Sequence, residues 1–230
     1  MFYFGDPTFI ILLPALILAF YAQTKVSGTF ERYVRVPSQR GFSGADVARE
    51  ILRQSGIYDV TVEAQPGRLS DHYDPRTRVV RLSSEIYNGR SLAALGVAAH
   101  ECGHAMQHSD GYAPLAIRNA IVPMAGIGSQ MAMPLFLIGL VFRMEFLMTV
   151  GIMLFSLAVV FQLFTLPVEY NASKRAVAVL QGSGYIYPDE VGPVKKVLDA
   201  AALTYVAATV MSVMQLLRLI ILSGGNRRRR

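Results

Sequence analysis

Apolar residues are spread unevenly along this chain. Four stretches are almost continuous in them, at about residues 8–22, 121–142, 146–166 and 200–222. A helix needs about 20 such residues to cross a bilayer. The first stretch is short, but Phe2, Tyr3 and Phe4 ahead of it can sit in the interface. The second holds Pro123 and Pro134, which a membrane helix tolerates when its neighbours satisfy the freed backbone groups. The third, "FLMTVGIMLFSLAVVFQLFTL", is scarcely interrupted, and the "RME" before it at 143–145 reads as a tight turn between two antiparallel spans. In the fourth, Thr204, Ala208, Ser212 and Gln215 form a small and polar stripe with Arg218 near it. That face suits a helix packed on its neighbours or lying in the interface.

Between the first two stretches the pattern changes. Residues 43–56 read as an amphipathic helix: Ser43 and Asp46 form a capping pair, Val47, Ile51 and Leu52 share a face, and Gly56 ends it. "YDVTVEA" at 58–64 alternates as a strand does, "QPGRL" is a turn, and "TRVVRLS" at 77–83 is a second strand. A proline-free run, "SLAALGVAAHECGHAMQH", follows and predicts a helix with Ser91 as its N-cap. The loop between the strands, "LSDHYDPRT", carries His72 between Asp71 and Asp74; it can orient a substrate or a developing oxyanion, or be a solvated turn.

Composition and charge turn this pattern into a topology. Of 230 residues 53% are hydrophobic, which is high for a soluble protein. The formal net charge is +6. Lys25, Arg32 and Arg35 follow the first stretch, and Lys174, Arg175, Lys195 and Lys196 lie between the third and fourth. Cytoplasmic loops collect such residues, so the first stretch reads as an uncleaved anchor with its N-terminus outside, and both basic segments as cytoplasmic. The expected organisation is an anchor at 1–23, a cytoplasmic α+β segment at 24–113, a transmembrane hairpin at 114–166, a second cytoplasmic segment at 167–199, and a membrane helix with a basic tail at 200–230. The fold class is then mostly α, multi-pass, with a small α+β cytoplasmic segment. If the last helix spans, the "RRRR" at 227–230 falls outside, against the rule; lipid headgroups are its simplest partner, and nucleic acid is not expected. The single cysteine, Cys102, excludes an intrachain disulfide and suits close helix packing.

The candidate chemistry lies in "VAAHECGHAMQH", which holds three of the four histidines. At about 100° per residue, His100 and His104 lie one turn apart on one face of a helix. Glu101 points about 100° from His100, so it is placed to reach a water in an open metal position rather than to be a ligand. This is the H-E-x-x-H arrangement of two zinc ligands and a general base. A zinc site needs a third protein ligand. His108 is a further turn along, about 6 Å by helix rise, and is better suited to support a ligand or cap the helix end. Glu169 follows the third apolar stretch directly, on the same predicted side as the histidines, with Pro167 suited to begin a new helical turn. A carboxylate at a helix start is also favoured without any ligand role. Asp189 and Glu190 are the next candidates.

"AAHECGHAMQH" followed by two spans and "PVEYNASKRA" resembles the YugP-type membrane zinc metallopeptidases of bacteria. "LSDHYDPRTRVVRLS" and "DAAALTYVAAT" carry the likeness over nearly the whole chain. More remotely the layout is similar to the HtpX-type membrane proteases, in which an Asp four residues after the ligand Glu supports a ligand. Here that place is Ser173, and Asn171 is another possible partner. The resemblance implies an H-E-x-x-H, gluzincin-like core, one zinc per chain held by His100, His104 and Glu169, and Glu101 as base and acid. It implies a membrane peptidase of bacteria; with the topology read from the basic residues, an endopeptidase site would face the cytoplasm at the membrane surface, with membrane proteins or peptides as candidate substrates. It names no substrate and no oligomeric state. The alternative is a zinc-binding membrane scaffold without turnover, although such a scaffold has no need of a glutamate at position 101. An intramembrane protease is disfavoured because Arg90, Ser109 and Asp110 border the motif helix, and a transporter because near the bilayer midplane the two spans of the hairpin carry only Ser, Thr and Gln as polar residues.

Overall fold

The computed structural model describes residues 7–68 and 70–227, so Phe2, Tyr3, Phe4, Leu69 and the last three arginines of the terminal run lie outside it. A 3-10 turn, Pro7–Leu12, leads into α1 (Leu13–Tyr33). The order continues α2 (Gly44–Gln54), β1 (Thr61–Gln65), β2 (His72–Asp74), β3 (Val79–Ser83), α3 (Ser84–Tyr87), α4 (Leu92–Ser109), α5 (Ala113–Val141), α6 (Glu145–Gly182) and α7 (Val191–Arg227). The fold is mostly helical with one small sheet. Among the described residues, four helical segments are long and apolar enough to cross a membrane: Pro7–Tyr33, Ala113–Val141, Glu145–Gly182 and Pro188–Gly224. The contacts divide the chain into two compact units, and α1, α5, α6 and α7 each contribute to both.

One unit comprises Gln23–Ala116 and Pro167–Leu203. Its sheet has the order β1-β3-β2, with β3 parallel to β1 and antiparallel to β2. Where a loop was expected around His72 there is a third, short strand. Three residues are too few to show the alternation by which a strand is read. Asp74 ends it, its carboxylate accepting from the Arg76 backbone N–H at 2.9 Å and the Thr77 hydroxyl at 2.7 Å, and Arg78 closes the turn at φ 54°. α2 begins as the sequence predicts: the Ser43 hydroxyl accepts from the Asp46 N–H, and the Asp46 carboxylate accepts from the Ser43 N–H. Its Val47, Ala48, Ile51 and Leu52 are buried with Val80 and Leu82 of β3. Complete burial of each large aliphatic side chain contributes about 1.5–3 kcal/mol.

α4 is the centre of this core. Its buried positions run around most of its circumference and are mainly Ala, Gly and Leu. Small residues let neighbouring backbones approach. A Cβ on Gly96 would stand 3.2 Å from Val194, and one on Gly103 would stand 2.7 Å from the Ala172 carbonyl oxygen. The approach of α6 to α4 therefore depends on the absence of a side chain at position 103.

The other unit comprises Met1–Ala22, Ile117–Leu166 and Thr204–Arg230. α5 carries Pro123 and Pro134 without breaking. The turn to α6 has Arg143 at φ 56°, and Glu145 is the first residue of the next helix. Gly151 meets α5 at Ala132 and Phe136, and Phe136, Met148 and Leu219 form a buried cluster. Ile10, Ile17, Phe20, Ile127, Phe146 and Met153 are exposed. Such a surface is costly in water and ordinary in lipid.

Candidate metal centre

α4 starts at Ser91, whose hydroxyl accepts from the Ala94 N–H at 3.2 Å. Eight residues into the helix, His100 and His104 stand one turn apart with ring centroids 4.8 Å from each other and planes nearly perpendicular. Glu169 of α6 meets them both. Its Oε2 lies 3.2 Å from His100 Nε2 and 3.6 Å from His104 Nε2. One donor atom from each residue can be chosen so that all lie within 4.8 Å of one another. The two imidazole side chains are 13% and 12% exposed and the carboxylate 3%, so the group is nearly closed but reachable from the imidazole side.

Both Nδ1 atoms are engaged. The Ser173 hydroxyl, one turn after Glu169, lies 3.1 Å from His100 Nδ1. Gln107 Oε1 lies 3.0 Å from His104 Nδ1. The Gln107 amide nitrogen donates to the Val168 carbonyl at 2.8 Å and to Asn171 Oδ1 at 3.0 Å, and Arg175 Nε donates to that same Asn171 oxygen at 2.9 Å. With both Nδ1 positions taken, the two Nε2 atoms face each other and the carboxylate. This donor set of two imidazole nitrogens and one carboxylate oxygen fits zinc with a position left open.

The electrostatics follow from burial. Glu101 is buried, which pushes its carboxyl above the usual carboxylate range, while His100 and His104 nearby work against that rise. Burial opposes a charge on His104, but the hydrogen bond to Glu169 and the charge of Glu101 outweigh it and raise its pKa. Cys102 is buried, donates to the Ala48 carbonyl at 3.5 Å, and has its thiol pushed up by burial. It packs the helix rather than joining the donor group.

The other sequence candidates lie elsewhere. His108 Nδ1 is 2.8 Å from the Tyr73 hydroxyl of β2. His72 is exposed with its Nδ1 2.8 Å from the Ser70 carbonyl, and the structure does not bring it into the donor group. Its neighbour Asp71 accepts from the Ser83 N–H at 2.7 Å and the Ser83 hydroxyl at 3.0 Å. Glu190 accepts from the Gln39 and Tyr187 N–H groups, both at 2.8 Å, and Asp189 from the Gln39 amide at 3.1 Å. Those carboxylates hold a loop. Sequence reasoning missed Gln107 and Tyr73. Gln107 stands three residues after His104, a spacing that places side chains together on a helix and signals a contact.

The comparisons with known proteins agree with this geometry. Residues 8–224 match the model of a family described as "Putative neutral zinc metallopeptidase". The chain belongs to this family. It is also 50% identical, over 212 residues covering 92% of its own length and 94% of the relative's, to "Putative membrane protease YugP" of Bacillus subtilis (strain 168). No solved structure matches. Membership in a zinc metallopeptidase family, a relative described as a membrane protease and four helices of crossing length together support a membrane-bound protease.

Proposed function

We propose that the protein is a zinc-dependent endopeptidase working at the cytoplasmic surface of a bacterial membrane. The observation that carries this reading is the convergence of His100 Nε2, His104 Nε2 and Glu169 Oε2 beside the buried Glu101. His100, His104 and Glu169 would hold the metal. When bound, zinc supplies Lewis acidity, which makes water nucleophilic at neutral pH and polarises a carbonyl. Glu101, next to His100 and not itself in the donor group, takes the proton of the attacking water and gives it to the leaving amine. Ser173 and Gln107 orient the imidazoles through Nδ1.

The cytoplasmic side rests on the lysines and arginines that follow the first apolar stretch and on those that follow Glu169, Lys174, Arg175, Lys195 and Lys196. Glu169 lies three positions after the end of the third apolar stretch, which favours substrates close to the membrane. A cysteine introduced at the exposed Tyr58 should react with an impermeant maleimide only after the cells are opened. Labelling of intact cells would reverse the orientation.

Two variants test the chemistry in the purified full chain. Wild type should bind about one zinc, as a catalytic site of this kind does, and Glu169→Ala should lose most of it. Glu101→Gln should keep zinc and lose proteolysis by about 10²- to 10⁴-fold. Undiminished cleavage by Glu101→Gln would remove Glu101 from the mechanism. Zinc binding with no cleavage by any form would leave a zinc-holding scaffold.

A further inference from the structure

Among the groups around the donor cluster, Gln107 is the one whose orientation its partners determine completely. Its side chain is fully buried on α4 and bridges to α6. A side-chain amide can in principle be turned either way. Here the Val168 carbonyl, 2.8 Å away, can only accept, so it requires the amide nitrogen of Gln107 on its side. Asn171 Oδ1 imposes the same choice from a second direction. Arg175 Nε, which can only donate, lies 2.9 Å from that oxygen and keeps the Asn171 carbonyl facing inward, as an acceptor for Gln107 at 3.0 Å. Arg175 is anchored in turn by its ion pair with Asp110, just beyond α4.

The consequence falls on His104. With its nitrogen committed to α6, Gln107 presents Oε1 to His104 Nδ1 at 3.0 Å. An amide oxygen accepts and cannot donate, so the ring nitrogen facing it carries the proton. The neutral imidazole is then left with its lone pair on Nε2, the atom that faces Glu169. Ser173 beside His100 imposes no such choice, because a hydroxyl can donate or accept. We propose that Gln107 is a positioning residue for the metal centre. Through Val168 and Asn171 it selects the Nδ1–H tautomer of His104, so that Nε2 is offered to a divalent cation. The same amide ties α4 to α6 at Val168 and at Asn171, on either side of Glu169 in the sequence, so tautomer and ligand position are set by one side chain. This inference rests on the zinc-peptidase reading.

The test uses the full chain in detergent. The sequence has four histidines, so ¹⁵N-histidine labelling gives a readable spectrum. In the zinc-loaded wild type, long-range ¹H–¹⁵N correlation should place the His104 proton on Nδ1, protected from exchange; a proton on Nε2 overturns the proposal without any substitution. Zinc affinity by chelator competition gives a second readout. Gln107→Met keeps the shape and loses the acceptor, and should bind zinc about 10- to 100-fold more weakly, the usual cost of losing such a partner. Gln107→Glu keeps an oxygen towards His104 but loses both donated hydrogen bonds, and should recover at least about tenfold of that loss. Equal weakening in both variants would assign Gln107 to holding Val168 alone, and equal affinity in all three forms would give it no part; either result overturns the inference while the wild type still binds zinc. A wild type without zinc would bring down the zinc-peptidase reading and the inference with it, and is told apart by that measurement alone.

Discussion

One helix, α6, packs by two different rules along its length. In its first part Gly151 lets α5 come close at Ala132 and Phe136, and the neighbouring buried groups are Phe136 and Met148. In that part Ser156 and Thr165 return their hydroxyls to the helix's own carbonyls. In its second part Ala172 lies against Gly103 of α4 just as closely, but Val168, Glu169, Asn171, Ser173 and Arg175 all carry hydrogen bonds. Small residues let helices approach in both places. Approach is sufficient where the task is to fill space. Where donor atoms must meet within a few tenths of an ångström, each side chain must also be held in one rotamer and one protonation pattern, and directional bonds do that.

The contrast can be broken most directly in the cores. Leu95→Ala removes a fully buried side chain from the first-described unit and should cost about 2–5 kcal/mol. Ile17→Ala in α1 removes an exposed one from the other and should stay within about 0.5 kcal/mol. Thermal unfolding in one detergent measures both; a large loss for Ile17→Ala would show that the apolar face is packed rather than open to lipid.

The paired glycines sharpen the same contrast. Gly103→Val and Gly151→Val each drive a side chain into backbone, at 2.7 Å from the Ala172 oxygen and 2.8 Å from the Ala132 oxygen. Each should destabilise by about 1–3 kcal/mol. Only Gly103→Val should also weaken zinc binding, by more than about tenfold, since it moves α6 and Glu169 away from the histidines. Equal zinc affinities in the two variants would mean that the donor group tolerates the shift.

The smallest effect concerns the cap of α2. Ser43→Ala should cost about 1 kcal/mol at neutral pH. Hydrogen bonds from Ser43 hold the Asp46 carboxyl below its usual range. A depressed carboxylate contributes stability above its unfolded pKa and loses it as pH falls through the folded value. The difference between wild type and variant should therefore shrink below about pH 3.9, the unfolded value, as chemical denaturation across pH would show.

Much of the architecture was legible because it rests on local signals. The four apolar stretches are marked by their length and continuity, α2 by the Ser43–Asp46 pair and its apolar face, and the motif helix by its proline-free run after Ser91. The pairing of His100 with His104 follows from helix geometry alone. Glu169 was reachable by asking which carboxylate the chain could return to the histidines. β2 was not legible, being too short for a period. Nor was the role of Gln107, whose spacing from His104 suggests a contact while its orientation depends on groups in α6.

The sequence by itself determined α2, the motif helix, the apolar stretches and the identity of the donor types, since these depend on near neighbours along the chain; it did not show that α6 runs unbroken through Pro167 to Gly182. Only the tertiary structure decided which carboxylate meets the imidazoles and which nitrogen each imidazole offers. Glu169 and Glu190 are both buried carboxylates in the same part of the chain. One meets two imidazoles and the other two backbone N–H groups, because Gly103 admits α6 and the loop at Gln39 claims Glu190. Such choices are made between segments about 70 to 150 residues apart, where no local period carries the information and packing alone selects the partner.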